Sequence, residues 1–345
     1  MTGIVARAPG KLVLTGEYAA LCGGPALVAA IDRHVELRLR WGPGPGPVVV
    51  ESRAENGRWV IADPEREEPT GGDRGAVLAA LRVASAWAPA LAGRSANVIV
   101  DSRPFLLDGK KLGIGRSAAT VTAAAAAFLA SAGHRDPAET LEAAVAAHAL
   151  FQEGHGSGAD VAATAHGGVI EFRRSAGRIQ TTPRALPDGL ELLVGWTGEP
   201  MPTDPLIKRF ASAASTREPA ALAALCEVAE RAAAAAVAGD RSRFLAAVRS
   251  TAELLDRLGH EVGIPIVTSA LARLIAAAER CGAAAKPSGA GGGDCGIAFA
   301  TSPAQAEAIR AAWQAAGIVP LRVAIAPAGV RLEIDVAETH EVSVG

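Results

Sequence analysis

The sequence predicts an α+β protein of two domains, and three observations support this fold class. Between residues 4 and 62, short stretches alternate apolar and polar residues at the period of a half-buried sheet. After residue 185, strand patterns interleave with alanine-rich helical patterns, which is typical of an α+β domain. The chain has 345 residues, half of them apolar, whereas single cores seldom grow beyond about 250 to 300 residues. We therefore expect two domains, residues 1–184 and 185–345.

The first elements are strands. The clearest is VELRLRW at residues 35–41, in which apolar and polar residues alternate. Similar short apolar runs occur at residues 4–6, 12–14, 48–50 and 60–62. The GPGPGP run at 42–47 is predicted to be a turn or hairpin connection, because proline and glycine exclude a central strand. We expect these strands to form an antiparallel sheet.

The following segments predict helices and further strands. In the first domain they are a helix over 74–91, a strand over 97–101, helices over 117–132 and 137–152, and a strand over 169–172. A polar segment broken by proline and glycine, RRSAGRIQTTPRALPDG, marks the domain boundary near residue 185. The second domain is expected to contain a strand in LELLVGW, three alanine-rich helices between about 204 and 281, a strand over 295–300, a helix over 303–317 and strands over 319–326 and 330–336.

Charge and cysteine content narrow the class of protein. The formal net charge of -2 gives no electrostatic footprint for nucleic acid or an anionic membrane. Four cysteines, with no CxxC pair, indicate neither a disulfide framework nor a zinc site. The N-terminal MTGIVARAPGK lacks an apolar signal segment, and the alanine runs are too weakly hydrophobic to span a bilayer. We expect a cytoplasmic monomer or homodimer that binds small molecules.

The stretch KLGIGRSAA at residues 111–119 carries the first chemical signal. A glycine-rich turn that leads into a helix directs unpaired N–H groups and the positive end of the helix dipole at one point, which suits an anion. Gly113 and Gly115 would let the backbone approach phosphate, and Ser117 could offer a hydroxyl to phosphate or Mg²⁺. The alternative is a loop in which Ser117 is a simple N-cap. No GxxxxGK[ST] string occurs, and a dinucleotide-binding fingerprint would need a strand directly before it.

Three further segments matter because of their order along the chain. They are APGKLVLTGEY at 8–18, GHGSGADVAA at 154–163 and KPSGAGGGDCGIAF at 286–299. Taken singly, Asp160 would be an ordinary first-turn helix residue and Asp294 a turn residue. Together with KLGIGRSAA, the set resembles the motifs of the GHMP kinase superfamily, and within it those of the phosphomevalonate kinase family. The resemblance runs from about residue 6 to 300.

The resemblance implies a fold, a reaction and its ligands. The N-terminal domain would be of the ribosomal protein S5 domain 2 type and the C-terminal domain ferredoxin-like, with ATP, Mg²⁺ and substrate between them. The implied reaction is the ATP-dependent phosphorylation of 5-phosphomevalonate to 5-diphosphomevalonate and ADP, in the mevalonate pathway of isoprenoid biosynthesis. Two alternatives remain open: another GHMP small-molecule kinase, such as mevalonate kinase, or a catalytically silent binding protein of the same fold.

The resemblance also implies site residues, by position in the matching motifs. Lys11 and Asp160 would be catalytic, and Ser117 would help to hold Mg²⁺. The ATP phosphates would be bound by Lys111, Gly113, Ile114, Gly115, Arg116, Ser117, Ala118 and Ala119. The substrate would be bound by Lys11, Glu17, Tyr18, Ser157, Gly158, Asp160, Ser288, Gly289, Gly291 and Gly292. Lys110, Lys208 and Arg209 are further candidate cations for a phosphorylated substrate.

Arg116 departs from the pattern that the other residues follow. The superfamily usually has serine at the position before the serine assigned to Mg²⁺, and this chain has arginine. Two interpretations are open from the sequence. Arg116 either points to solvent or adds a positive charge beside the transferred phosphates.

Overall fold

The computed structural model describes residues 3–69, 71–175, 177–201, 203–216 and 219–335. Within them the chain forms two main sheets and nine α-helices. The strands are β1 Gly3–Thr15, β2 Ala26–Pro45, β3 Val48–Ser52, β4 Gly57–Ile61, β5 Arg94–Asp101, β6 Leu106–Leu107, β7 Lys110–Lys111, β8 Val169–Ser175, β9 Arg178–Arg184, β10 Glu191–Trp196, β11 Ala284–Pro287, β12 Cys295–Ala300, β13 Val319–Leu321 and β14 Arg331–Asp335. The helices are α1 Gly72–Trp87, α2 Arg116–Ser131, α3 Pro137–Phe151, α4 Ala159–His166, α5 Thr203–Thr216, α6 Ala220–Ala238, α7 Arg241–Val262, α8 Ser269–Arg280 and α9 Pro303–Ala315. The mixture confirms the predicted α+β class.

The first sheet has eight strands: six in the order β14-β1-β2-β5-β3-β4, together with β8, which pairs with residues 26–29 of β2, and β9, which pairs with β8. The alternation predicted for residues 35–41 is confirmed, since Val35, Leu37 and Leu39 are buried while Arg38 and Arg40 are exposed. The prediction of an antiparallel sheet is wrong for one pair of strands, because β3 runs parallel to β5. β9, which the sequence did not predict, is a strand at the margin of the sheet, where a proline is tolerated.

The GPGPGP run is only partly a turn. β2 continues to Pro45, which pairs with Arg94 after a register shift, so the prediction of a turn over 42–47 is wrong for residues 42–45. The glycines there permit a close approach: a Cβ at Gly42 would lie 2.1 Å from Ser95 Oγ, and Ser95 Oγ donates to the carbonyl of Gly44 at 2.9 Å. Small residues are therefore needed by packing between strands.

Helix α2 lies against β1, β2, α1 and α3. All residues from Ala118 to Ala130 are buried, which explains why this helix has no polar face. Alanine lets its backbone approach the surrounding strands and helices on every side. The position of α2 is therefore fixed on all sides, and so is the glycine loop that precedes it.

The second sheet has the order β11-β12-β10-β13, and α7, α8 and α9 pack against it. Four helices, α5 to α8, occupy the region where three were predicted, so that prediction is wrong. The extra division falls between α6 and α7, where Gly239 takes a left-handed conformation and the Asp240 side chain caps the next helix. β13 ends at Leu321, earlier than predicted, and Val336 of the predicted last strand lies outside the described residues.

The two halves of the chain are packed together. β14 pairs with β1 in the first sheet, so the last described strand joins the N-terminal half. One buried cluster contains residues of both sheets, including Leu12, Val100, Trp196 and Phe299, while a smaller one surrounds Leu274 and Trp313. The division into residues 1–184 and 185–345 stays a prediction. No helix in the described part of the chain is both long enough and apolar enough to cross a bilayer.

Candidate active site

Two adjoining cavities lie where the predicted motifs meet. The Glu17 cavity is lined by β1 and the segment that follows it, the loop before α4 with the first turn of α4, and the loop after β11, including Glu17, Tyr18, Ser157 and Ser288. The Ser117 cavity is lined by the loop before α2, the first turns of α2 and α1, and the turn between β3 and β4, including Gly115, Ser117 and Glu55. Both cavities share Lys11, Gly113, Gln152, Asp160 and Asp294. The structure thus places the two catalytic candidates, Lys11 and Asp160, at the boundary between two adjoining cavities.

Lys11 is held rigidly at this boundary. It lies in β1, next to the register shift between Pro9 and Gly10, and its backbone N–H donates to the carbonyl of Ile114 at 2.9 Å. Its Nζ is 2.8 Å from Asp160 Oδ2, and the residue is 8% exposed. Asp160 approaches from the first turn of α4. The pair therefore offers a directed ammonium group, with its orientation set by a carboxylate.

The glycines of the loop at 113–115 are required by close contacts. Gly113 and Gly115 have φ of +74° and +86°, and an added Cβ would lie 2.2 Å from the Asp294 side chain or 2.7 Å from Lys11 Cγ, respectively. Gly115 is the N-cap of α2 and contributes no capping side chain. The first N–H groups of α2 are therefore free of a side-chain cap, as an anion site requires.

Ser117 lies inside α2 and not at its N-cap, so the alternative that it is a simple N-cap is wrong. Its Oγ is 3.3 Å from His148 Nε2, and His148 is buried on α3. Ser117 faces the cavity that also contains Lys11 and Asp160. Its hydroxyl is thus close to the position where phosphates would lie.

Arg116 lines the same cavity and is turned toward acidic residues of its own chain and not freely to solvent; the interpretation that it adds a charge beside the phosphates stays a prediction. Its Nε donates to Asp73 at 3.1 Å, and its guanidinium also contacts Glu55. The Arg116 side chain is 23% exposed, and that of Asp73 only 1%. Arg116 is therefore engaged by two carboxylates of its own chain.

Glu17, in the wall of the Glu17 cavity, forms a buried ion pair with Lys286. Lys286 Nζ contacts Glu17 Oε1 and donates to the carbonyls of Val13 at 3.2 Å and Pro287 at 2.7 Å. Both side chains are at most 1% exposed. Burial lowers the pKa of Lys286 from its usual 10.5, and the neighbouring Glu17 carboxylate opposes this shift. Glu17 Oε2 has no hydrogen-bond partner within the described chain.

The loop at 288–293 closes the cavity against β1. Ser288 Oγ accepts from Val13 N and donates to Val13 O, both at 3.0 Å. Tyr18 donates to the carbonyl of Ala290 at 2.7 Å, and burial raises the pKa of its phenol well above 10. These contacts join the second half of the chain to β1 at the cavity wall. Ser157, Gly158, Gly289 and Gly291 complete the predicted residues that line it.

Four predicted residues, Ile114, Ala118, Ala119 and Gly292, do not line either cavity. Ile114, Ala118 and Ala119 are fully buried in the core, so only their backbones could meet a ligand. Gly292 lies outside the cavity wall, and its N–H donates to the carbonyl of Ile266 at 2.8 Å. Lys111 does line the Ser117 cavity, but its ammonium donates to the carbonyl of Met201.

The remaining candidate cations lie away from the cavities or are paired. Lys208 forms an ion pair of 2.9 Å with Glu153, and Lys110 and Arg209 are exposed.

Asp294, expected as a turn residue, has φ of +52°, and its Oδ1 accepts from Met201 N at 2.9 Å. Burial raises the pKa of the Asp294 carboxyl above its usual 3.8. These contacts agree with its expected role in a turn.

The donors at the Ser117 cavity fit a Mg²⁺ ion that arrives with a nucleotide. The described residues contain no group of three or more His, Cys, Asp or Glu able to hold a metal ion. Mg²⁺ usually keeps several waters and needs only one or two protein oxygens beside substrate phosphates. Ser117 and Asp160 supply one hydroxyl and one carboxylate to this cavity. A dedicated protein cage for the metal is not needed.

Three residues of the site were not predicted from the sequence: Glu55, Asp73 and Lys286. Glu55 and Asp73 line the Ser117 cavity, and Lys286 is the partner of Glu17. Glu55 and Asp73 are 61 and 43 residues from Arg116 in sequence, and no local pattern indicates such pairs. For Lys286, the available signal was its position at the start of the KPSGAGGGD segment.

Comparison with known proteins gives consistent similarities. A family model described as GHMP kinases C terminal matches residues 232–319. A phosphomevalonate kinase of Streptomyces sp. (strain CL190) is 33% identical over 95% of this chain and 98% of its own, and a mevalonate kinase of Aeropyrum pernix is 31% identical over 61% and 62%. Streptococcus pneumoniae phosphomevalonate kinase, solved in complex with phosphomevalonate and AMPPNP, has the same fold, with a TM-score of 0.78 at 22% identity over 93% of this chain and 99% of that one.

Proposed function

Because the chain belongs to the GHMP kinase superfamily, we propose that it phosphorylates 5-phosphomevalonate with ATP, forming 5-diphosphomevalonate and ADP. The observation that carries this proposal is the Lys11–Asp160 pair, 2.8 Å long, at the boundary between the two cavities. A group placed there can act on a phosphoryl group that passes from a ligand in one cavity to a ligand in the other. The similarity to a phosphomevalonate kinase over 95% of this chain supports the choice of substrate.

We assign ATP to the Ser117 cavity and phosphomevalonate to the Glu17 cavity. The uncapped start of α2 and the close-packed glycines at 113 and 115 support the first assignment. The second is supported by Glu17 Oε2, a buried oxygen without a hydrogen-bond partner in the described chain and so our candidate acceptor for a substrate hydroxyl, and by Lys11 and His155, which line that cavity. Mevalonate carries the same hydroxyl, so this cavity alone does not separate the two substrates.

The proposed reaction is a direct phosphoryl transfer. An oxygen of the substrate phosphate attacks the γ-phosphorus of ATP, the bond from that phosphorus to the bridging oxygen breaks, and ADP leaves. Such a transfer depends on positioning and on neutralising charge. Lys11 supplies positive charge beside the transferred group, and Asp160 orients Lys11. Bound Mg²⁺ would neutralise charge on the β- and γ-phosphates, with Ser117 as the side-chain oxygen that holds it.

Asp160 is not needed as a base for this substrate. The second ionisation of a phosphate monoester has a pKa of about 6, so the attacking oxygen is already largely ionised at neutral pH. An alcohol substrate would instead gain from proton removal. We therefore propose that Asp160 orients Lys11 and the substrate.

A coupled assay of ADP release tests the proposed function. With ATP and Mg²⁺, we expect turnover with phosphomevalonate and none with mevalonate or homoserine. If ADP formed with mevalonate or homoserine but not with phosphomevalonate, the protein would be a GHMP kinase of another substrate. A protein that binds ATP but releases no ADP with any of the three would be a silent relative.

The Asp160→Asn variant tests the role of the carboxylate. We expect kcat/KM of the wild type to rise with pH through the ionisation of the substrate phosphate only, and the variant to keep this profile at a lower rate. The measurement is a pH series of kcat/KM for both proteins. A further acidic limb that is present in the wild type and absent from Asp160→Asn would make Asp160 a general base and contradict the proposal.

Gly115→Ala tests the close contact of the glycine loop with Lys11. The added Cβ would lie 2.7 Å from Lys11 Cγ, and displacement of a catalytic group by about 1 Å can cost about 10²-fold in rate. We expect a loss of that order in kcat/KM for ATP. Gly133→Ala is the matched control, since Gly133 has φ of +92° with no atom near the added Cβ. Equal rates for the two variants would show that the contact with Lys11 has no catalytic importance.

A further inference from the structure

Arg116, in the first turn of α2, contacts two acidic residues, Glu55 and Asp73. We propose that Arg116 is a positioning residue, which holds the start of α2 and the glycine loop in place for the nucleotide and does not itself bind the phosphates. The inference rests on the proposed function only in assigning ATP to the Ser117 cavity. It concerns the residue at which this chain departs from the usual serine of the superfamily.

Asp73 is the buried anchor of this arrangement. Its side chain is 1% exposed, and its Oδ2 accepts hydrogen bonds from Ser52 Oγ at 2.6 Å and Ser102 Oγ at 2.7 Å. Its Oδ1 accepts from Arg116 Nε at 3.1 Å and Thr120 Oγ1 at 3.3 Å. Arg116 and Thr120 are one helical turn apart on α2. The helix start is therefore joined to a single carboxylate through two side chains on one face.

Glu55 adds a second point of attachment. It lies between β3 and β4, and its carboxylate accepts from the backbone N–H of Asp73 at 3.2 and 3.3 Å. The same carboxylate contacts the Arg116 guanidinium. A Cβ at Gly72, the first residue of α1, would lie 2.6 Å from it, so glycine at this position makes room for Glu55. Arg116 thus links the turn after β3, the start of α1 and the start of α2.

The charges explain why Arg116 stays where it is. One guanidinium faces two carboxylates, so the cluster has no positive charge to spare for a ligand. If Arg116 turned toward phosphate, Asp73 would be left as a buried carboxylate without a cation, which is strongly unfavourable. Arginine suits the bridge because its planar donors can engage both carboxylates at once. Its effect on a nucleotide therefore passes through the backbone of the glycine loop.

A double-mutant cycle separates positioning from direct binding. We would measure the dissociation constant of AMPPNP with Mg²⁺ for wild type, Arg116→Met, Glu55→Gln and the double variant. If Arg116 is a positioning residue, Arg116→Met should bind AMPPNP about tenfold more weakly, by analogy with partners that orient metal ligands. Glu55→Gln should lose less affinity than that. The double variant should bind no more weakly than Arg116→Met. Direct binding predicts instead that Glu55→Gln releases Arg116 and tightens AMPPNP binding, or that the two losses add, and either result would overturn the inference.

Two further variants control for misfolding and for the general effect of removing an arginine. Arg116→Lys keeps a cation beside Asp73 and replaces Arg116→Met in the experiment if Arg116→Met does not fold. A positioning role predicts weaker AMPPNP binding for this variant also, because one ammonium cannot bridge both carboxylates in the manner of a guanidinium. Arg103→Met removes an exposed ion pair with Asp101 and should leave binding unchanged. A purely structural role for Arg116 would lower the melting temperature but leave the AMPPNP affinity of the folded protein intact, which would also refute positioning. If the wild type itself binds no AMPPNP, the proposed function fails first.

Discussion

Lys11→Met is expected to lower kcat by about 10² to 10³, the size of effect seen when a group that stabilises developing charge is removed. Lys11 is the cationic member of the pair that lies between the two cavities. Methionine keeps most of the side-chain volume beside Gly115 and removes the charge. The measurement is single-turnover ADP formation with saturating ATP and phosphomevalonate, so that the loss is assigned to the transfer step and not to product release.

Lys110→Met is the matched control for this loss. Lys110 is exposed and does not line either cavity, so its replacement is expected to leave kcat unchanged. Circular dichroism and thermal melting would verify that both variants fold. If a folded Lys11→Met turned over at the wild-type rate, Lys11 would have no part in the mechanism, and the assignment of the site would fail with it.

Lys286→Met is expected to have the largest effect on stability, a loss of about 3 to 5 kcal/mol in the free energy of unfolding. The variant leaves the Glu17 carboxylate, whose side chain is 1% exposed, without its cation. It also removes the hydrogen bonds from Lys286 to the carbonyls of Val13 and Pro287, and the bond to Val13 links β11 to β1. Equilibrium unfolding in urea measures the difference.

Two comparisons make the result specific to the buried pair. The double variant Glu17→Gln/Lys286→Met removes both charges, so it is expected to recover part of the lost stability even though substrate binding suffers. Arg257→Met breaks an exposed ion pair with Glu261 and should cost less than about 1 kcal/mol. If Lys286→Met cost no more than Arg257→Met, the buried pair would contribute nothing to holding the two halves together.

The local patterns of the sequence predicted most of the strands and helices, and the reasons are visible in the structure. Alternation at 35–41 matches the side chains that point into the core, and the uninterrupted alanine pattern of α2 matches a helix buried on all sides. The errors occurred where context outweighs local preference. Residues 42–45 remain in β2 because Ser95 packs against their glycines, and β9 forms at a sheet margin despite its proline.

The candidate site divides in a similar way. Lys11, Ser117, Asp160 and Ser288 lie in recognisable motifs, and the structure brings them to the two adjoining cavities. The partners of Arg116 and Glu17 could not be predicted, because they come from distant parts of the chain. In the sequence Arg116 has no visible partner, whereas in the folded chain its position is set by Glu55 and Asp73.

By itself the sequence determined the α+β class, the order of the glycine motifs and the residue types able to handle phosphate, since these depend on short-range periodicity and on chemistry carried by single residues. Only the tertiary structure decided which charges are available to a ligand. A charged side chain acts on a ligand only to the extent that its own chain leaves it unneutralised, and pairs such as Lys286–Glu17 and Arg116–Asp73 form across 269 and 43 residues of sequence. Lys11 remains between the cavities because β1, the glycine loop and α4 converge on it, and that convergence is a property of the folded chain.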